Sequence, residues 1–359
     1  MKEGWTYKSL GDCIDKVPKQ KQVKSKDYQS TGRYPIVSQE RDLISGYWDD
    51  ESFLYKHERP VIIFGDHTKE IKFIDFDFVV GADGTQILSP KDCLNAKFFY
   101  YALLATPIRS LGYARHFKLL KEKSFPIPPL SEQERIVEQL DAAFAQIDEL
   151  KKNAEKQLAE ARALFQSALT QAMQPKPGWE QTEFGNVCYY HKEQAIHYDR
   201  KYIGMEHIES GTGVLLGFQD SNEIASSSFG FSKGDVLYGR LRPYLRKIII
   251  AEFDGCCSTE IFPIRSNHVE PEFIKYWFLT DEITNKINAT SAGCRMPRGN
   301  MNEVKSFSFH YPKEKSEQRH ITNNLDIISS SILKLERICN KTIAECDALK
   351  QALLRQIFE

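Results

Sequence analysis

With 359 residues, 41% of them hydrophobic and 27% charged, the chain has the composition of folded protein and exceeds one ordinary core, so two or three domains are expected. Its 48 Lys and Arg against 49 Asp and Glu leave a net charge of −1, which excludes binding a polyanion through one broad basic face. No apolar run approaches the ~18 residues of a membrane helix, and Met1-Lys2-Glu3-Gly4-Trp5 lacks the apolar core of a signal peptide; a cytoplasmic protein is expected.

Eight cysteines show neither CxxC nor Cys/His metal spacing, which points to reduced, mostly buried thiols and no metal site. Residues 1–130 read as short apolar strands broken by Gly, Asp and Asn, an α+β pattern. A Gly4-Trp5 start is followed by Leu10-Gly11-Asp12, the run Ile62-Ile63-Phe64-Gly65, Gly81 and Thr85. A short helix carrying Phe98 and Tyr101 and a Pro-containing exit strand, Ser124–Leu130, complete this segment.

Residues 131–173 read as one long helix. Ile136, Leu140, Ala143, Ile147, Leu150, Ala154, Gln157, Ala161, Leu164, Ala168 and Gln171 alternate spacings of four and three, the seam of a coiled coil. Ser131 and Glu134 form an S-x-x-E capping box at its start. At ~1.5 Å per residue such a helix spans roughly 60 Å.

After the short link Gln174–Trp179, residues 174–315 repeat the first segment weakly. Gly178-Trp179, Phe184-Gly185-Asn186, Val236-Leu237-Tyr238-Gly239, Gly255 and Thr259 follow their counterparts by 174 residues. Phe273 and Tyr276 answer Phe98 and Tyr101 one residue out of step, and Phe307–Lys315 is the second exit strand. About eleven extra residues fall mainly between Phe273 and Glu314.

Residues 316–359 then repeat the long helix without a gap, Ser316 lying 185 residues after Ser131. Ser-Glu-Gln recurs, and Ile321, Leu325, Asp326, Leu335 and Leu349 match Ile136, Leu140, Asp141, Leu150 and Leu164. The second seam reads Ile321, Leu325, Ile328, Ile332, Leu335, Cys339, Thr342, Cys346, Leu349, Leu353 and Gln356. Small and polar residues make each seam a weak homodimer zipper, so the two helices are expected to pair with each other. The short link forces them antiparallel, with a globular domain at each end and pseudo-two-fold symmetry.

This architecture resembles the specificity subunits of type I restriction-modification enzymes. The resemblance rests on PIPPLSEQERIVEQLD at 126–141, YPKEKSEQRHITNNLD at 311–326, the Gly-Trp starts and KGDVLYGRLRPYLRK at 233–247. It departs at Tyr311–Lys315, where the second Pro-Pro-Leu is missing. It implies target-recognition domains at 1–130 and 174–315, each reading half of a split site in double-stranded DNA, and spacer helices at 131–173 and 316–359. It also implies methyltransferase subunits, two in number, and restriction subunits as partners.

No catalytic motif contradicts a non-catalytic role. There is no Asn/Asp-Pro-Pro-aromatic loop and no GxxxxGK[ST], and the Gly211-Thr212-Gly213 cluster reads as a hairpin turn; no cofactor is expected. Asp66, Glu70 and Lys72 faintly follow a D…ExK nuclease pattern, which arises easily in so charged a chain. The DNA-contact candidates are local. Arg240, Arg242, Tyr244, Arg246 and Lys247 crowd one loop after a strand, where arginine forks suit phosphates or the O6/N7 edge of guanine. The alternative is a solvated hairpin whose arginines pair with Asp235, Glu252 or Asp254. Arg295 and Arg298, between Gly293 and Gly299, form a second group. In the first domain Lys16, Lys19, Lys21, Lys24 and Lys26 suit phosphates, with Tyr28 and Arg33 following. His67, Thr68 and Lys69 occupy the place of the arginine loop, and Arg115, His116 and Lys118 match the Arg295 region. The competing reading of the whole chain is a coiled-coil scaffold with two protein-binding domains.

Overall fold

The computed structural model describes residues 4–110, 112, 114–195, 200–291 and 295–359. Met1–Glu3, and Gly293 and Cys294 beside Arg295, lie outside these. The chain divides into two compact units, Met1–Asn153 with Thr342–Glu359 and Ala154–Lys341, so each long helix gives one portion to each unit.

In the first unit an antiparallel sheet runs in the order Ile14–Asp15, Thr85–Pro90, Val61–Gly65, Ile71–Ile74. In the second the order is Cys188–Tyr190, Ile261–Ser266, Val236–Gly239, Ile248–Ile250, the same topology. Each unit adds a second sheet in which strands pair in parallel: Phe78–Gly81 beside Gln22–Val23 and Tyr34–Val37, and Gly255–Ser258 beside Lys201–Ile203. Each is closed by a ribbon joining its first strand to its exit strand, Thr6–Ser9 with Ser124–Ile127 and Glu180–Glu183 with Ser308–Tyr311. The sequence repeat is therefore a repeat of fold. The added residues of the second unit build an additional helix, Asp281–Ala289, capped by the Thr280 hydroxyl, which accepts from the Ile283 amide.

The long helices run Leu130–Met173 and Lys315–Phe358. Both start one residue before the expected Ser, and the capping box does not form. The Pro129 carbonyl accepts from Glu132 and Gln133, leaving Ser131 exposed inside the first turn. Glu314 plays the same part for Glu317 and Gln318. Ser316 stands five residues after Tyr311, whereas Ser131 stands four after Ile127, so the departure from Pro-Pro-Leu comes with one inserted residue.

The Gln of each Ser-Glu-Gln is a buried brace. The Gln133 amide donates to the carbonyls of Pro128 (2.9 Å) and Cys93 (3.2 Å) and accepts from the Asn95 amide (2.8 Å). Gln318 donates to Pro312 (2.7 Å) and His268 (3.2 Å) and accepts from Glu270 (2.8 Å). Three residues further into each helix, Ile136 and Ile321 enter the cores of their units, followed by Leu140 and Leu325. The neighbouring Asp141 accepts from the Tyr101 hydroxyl and, at 2.7 Å, from Lys97. Asp326 accepts from Tyr276 at 2.5 Å and from Lys275 at 3.3 Å. Burial and then the carboxylate hold both tyrosines well above their ordinary pKa.

The helices are antiparallel within each unit. Lys151 meets Asp347 and Lys350 meets Asp148 in the first; Arg162 meets Glu336 in the second. The seam, however, is rotated from the expected one. Burial recurs at Leu140, Ile147, Ala154 and Ala161 and at Leu325, Cys339 and Cys346, with the i+4 row half-buried beside it. Leu150, Leu164, Leu335 and Leu349, expected on the i+3 row of the seam, are 54%, 64%, 36% and 49% exposed. The globular units cause the rotation. Phe144 is drawn edge-on to Tyr101 and Phe165 packs at a tilt beside Tyr276, turning the i+4 row inward. All seven described cysteines are unpaired thiols, and six are buried.

Gln133→Leu and Gln318→Leu should each strand three backbone groups and lower stability by about 1–3 kcal/mol per unsatisfied group. Urea unfolding checks this against Gln139→Leu on the exposed face; midpoints equal to that control would remove the bracing role.

Candidate nucleic-acid interface

Three described non-glycine residues have left-handed backbones: Lys69 (φ 63°), Arg242 (φ 52°) and Arg246 (φ 48°). Each costs about 1–2 kcal/mol relative to the right-handed region, so the surrounding contacts must impose it. All three lie in the loops that leave the matched strands Val61–Gly65 and Val236–Gly239.

In the first unit, a Cβ at Gly65 would come within 2.2 Å of the Thr68 hydroxyl, so glycine lets the loop fold back on its strand. The Thr68 hydroxyl donates to the Gln39 carbonyl at 2.6 Å, and the Gln39 side chain accepts the His67 amide at 3.0 Å. Asp66 turns inward. Its carbonyl takes the His116 amide (2.8 Å), and its carboxylate takes the Phe117 amide (2.8 Å) at the start of the helix Phe117–Lys121. Two segments far apart in sequence, His67–Lys69 and Arg115–Lys118, thus form one edge. Arg115 and Lys118 are exposed on it, whereas His116 is fully buried and does not face outward.

Lys72 also turns inward and donates to the Ser38 (2.9 Å) and Asp42 carbonyls; burial pushes its pKa down. It anchors the hairpin tip that presents Leu43 and Ile44. The D…ExK pattern is accounted for by these backbone contacts of Asp66 and Lys72. Lys16, Lys19, Lys21, Lys24 and Lys26 are exposed; Lys21 reaches Ser52 (3.0 Å) and lies 5.1 Å from the centre of the Phe53 ring.

The second unit repeats the arrangement with arginines. The Met205 side chain would lie 2.7 Å from a Cβ at Gly239, so glycine lets it pack directly against this strand end. The two candidate groups are one site. Arg242 N donates to the Pro297 carbonyl (2.7 Å), Gly299 N to the Arg240 carbonyl (2.9 Å), and Leu241 bridges Arg298. None of Asp235, Glu252 or Asp254 is the loop's acid. Glu260 joins the two groups instead: its Oε2 accepts from Arg240 Nε (3.0 Å) and its Oε1 from Arg298 Nε (2.8 Å). Asp235 instead binds Arg265. Arg242, Tyr244 and Arg295 are exposed, with no side-chain partner among the described residues. Two expected contacts are turned to internal use. Arg246 donates to the Leu279 carbonyl (3.2 Å) and to Asp281, and Lys247 donates to the Met205 carbonyl (2.6 Å).

Sequence reading missed Glu260, Lys192 and Lys305. Lys192 and Arg240 lie 4.3 and 5.3 Å from the centre of the Phe262 ring, and Lys305 lies 5.3 Å from that of Tyr190. Burial, then the charges of Lys305 and Arg240, lowers the Lys192 pKa. Only the aromatic–basic alternation Tyr190-His191-Lys192 hinted at it.

Two units whose antiparallel sheets share one strand order, each with a strand-end loop against a second basic segment and a portion of both long helices, define a bipartite α+β architecture. Residues 2–160 match the domain family described as "Type I restriction modification DNA specificity domain". The chain is 29% identical over 159 residues to the EcoDI specificity subunit of Escherichia coli, covering 44% of this chain and 35% of that subunit. It is 26% identical over 305 residues to the EcoKI specificity subunit of Escherichia coli strain K12, covering 73% and 64%. The chain thus spans less than two thirds of these relatives. A solved chain described under complex assembly and conformational transition of the type I R-M system shares the fold, with TM-score 0.69 and 18% identity over 98% of this chain and 97% of that one. The chain is thereby recognised as similar to the specificity subunits of type I restriction-modification enzymes.

Asp66→Ala should free the Phe117 amide and speed hydrogen exchange across 116–121, without global unfolding. Unchanged protection there would show that Asp66 does not tie the two segments together.

Proposed function

We propose that this chain is the non-catalytic DNA-specificity subunit of a type I restriction-modification complex. Each globular domain reads one half of a split site, and methyltransferase subunits, two in number, and restriction subunits assemble around it in the cytoplasm. The observation that carries this reading is the recurrence of one arrangement in both units: a glycine-ended central strand, a loop with a left-handed cation, and a second basic segment beside it. A scaffold binding two proteins has no need of matched cationic loops at the same sheet position. The exposed leucines Leu150, Leu164, Leu335 and Leu349 give the helices an apolar face for the partner subunits.

The lysines and arginines divide the work. Lys19, Lys21 and Lys24 supply phosphate contacts and affinity; Lys69, Arg115 and Lys118 flank His67 in the first domain; Arg240, Arg242, Tyr244, Arg295 and Arg298 face bases in the second, shaped from behind by Arg246 and Lys247. Arg242→Ala should relax or abolish one half-site and leave the other intact, since a lost bidentate base contact costs ~1–3 kcal/mol. Lys19→Ala with Lys21→Ala should weaken binding to every sequence and reduce the salt slope by about one per lost phosphate contact. Selection from randomised duplexes separates the two outcomes, and both sets of variants shifting the same half-site would refute the assignment of one domain per half-site.

The helices set the spacing. A heptad inserted after Lys151, with another after Cys346 beside its partner Asp347, keeps the antiparallel register and adds ~10 Å. At about 3.4 Å per base pair, the gap between half-sites should grow by up to roughly three base pairs with both halves unchanged. Methylome sequencing of cells making this variant with its methyltransferase subunit reads the gap directly; an unchanged gap would leave the helices only a docking role.

A further inference from the structure

The arginines of the second unit differ in which edge of the guanidinium they expose. Arg246 is bound through both Nη atoms and Arg265 through Nε and Nη2, so their forks are occupied. Arg240 and Arg298 are held only at Nε, one on each oxygen of Glu260, and their Nη atoms have no partner among the described residues. Arg240 is further seated on the Phe262 ring. Glu260 itself is fixed: its side chain is 21% exposed, its amide donates to the Ser258 hydroxyl (3.3 Å), and its carbonyl accepts from Arg240 N (2.9 Å).

Such an arrangement does two things. One carboxylate offsets the repulsion of two guanidiniums that would otherwise splay apart, and by taking both Nε groups it leaves the paired Nη donors of each side chain for a ligand. A free fork of this kind matches the O6 and N7 acceptors of guanine in the major groove. Resting on the reading of the chain as a DNA-specificity subunit, we infer that Glu260 is a positioning residue that aligns Arg240 and Arg298 as a paired reader of guanine. Because both arginines share one carboxylate, they read either one guanine or two guanines on neighbouring base pairs. Glu260 touches no base.

The signature is a split between affinity and discrimination. Glu260→Gln removes a negative charge from the DNA-facing side while dissolving the alignment. The test is selection from randomised duplexes by the full chain with its methyltransferase subunit, alongside salt elution from a random-sequence duplex. Wild type should select guanine at one or two neighbouring positions of one half-site. Glu260→Gln should lose that guanine preference by about tenfold or more, leave the other half-site unchanged, and elute from random duplex at equal or higher salt. Arg240→Lys and Arg298→Lys, which keep charge and lose the fork, should show the same loss of guanine and guard against a misfolded Glu260 variant. A half-site without guanine, or Glu260→Gln with its guanine preference intact, would overturn the inference while leaving the specificity-subunit reading standing. So would equal weakening on every sequence. Wild-type chain showing no salt-sensitive retention on DNA would overturn both.

Discussion

Both units depend on a buried amide. Gln133 and Gln318 each satisfy three backbone groups that no secondary structure could reach: a carbonyl of the exit strand, a carbonyl of the preceding loop and the amide at the start of a core helix. A buried carbonyl without a partner is expensive, so this single side chain makes the exit strand, the core helix and the long helix one cooperative piece. The Asp141–Tyr101 and Asp326–Tyr276 bonds fasten the next turn. The long helix consequently leaves its domain in a fixed direction, which any role as a spacer requires.

With the helices fastened by polar contacts, the seam between them needs little apolar area. It is lined in part by Ala154, Ala161, Cys339 and Cys346 and flanked by the ion pairs of Lys151, Lys350 and Arg162. Exposed ion pairs contribute little energy but disfavour the wrong register. The larger apolar side chains are thereby left for other tasks: Phe144 and Phe165 pack on the aromatic residues of the units, and the leucines of the i+3 row face outward.

The strand-end loops follow the opposite logic. Backbone strain at Lys69, Arg242 and Arg246 is imposed by hydrogen bonds from neighbouring segments and by the close approach that Gly65 and Gly239 permit. Strain held by a rigid sheet keeps side chains in place before a ligand arrives, which lowers the entropy lost on binding. In the second unit the carboxylate of Glu260 adds order to the arginines themselves.

The sequence by itself determined the bipartite plan, because a repeat at constant offset and a helical period are one-dimensional properties. Ser-Glu-Gln, the Leu-Asp pairs and Phe98/Tyr101 against Phe273/Tyr276 were legible as matches, and the matched residues do the same jobs in both units. Tertiary structure decided what each match is for. The i+3 and i+4 rows of a helix cannot be ranked from spacing alone when the burying partner is a globular domain as well as the other helix, and so spacing assigns Leu150 and Leu164 to a seam they do not enter. The start of the first long helix was set by Pro129 rather than by the Ser131 capping box, since a helix begins where a free carbonyl stands. The site shows the same limit. Arg240 and Arg298 were identifiable as cations in glycine-flanked loops, but that they share Glu260 depends on the pairing of Val236–Gly239 with Ile261–Ser266 and on the bridge between Leu241 and Arg298. Arg246 and Lys247 look equally suited in sequence, and only the packing of Asp281 and Met205 against them turned them inward.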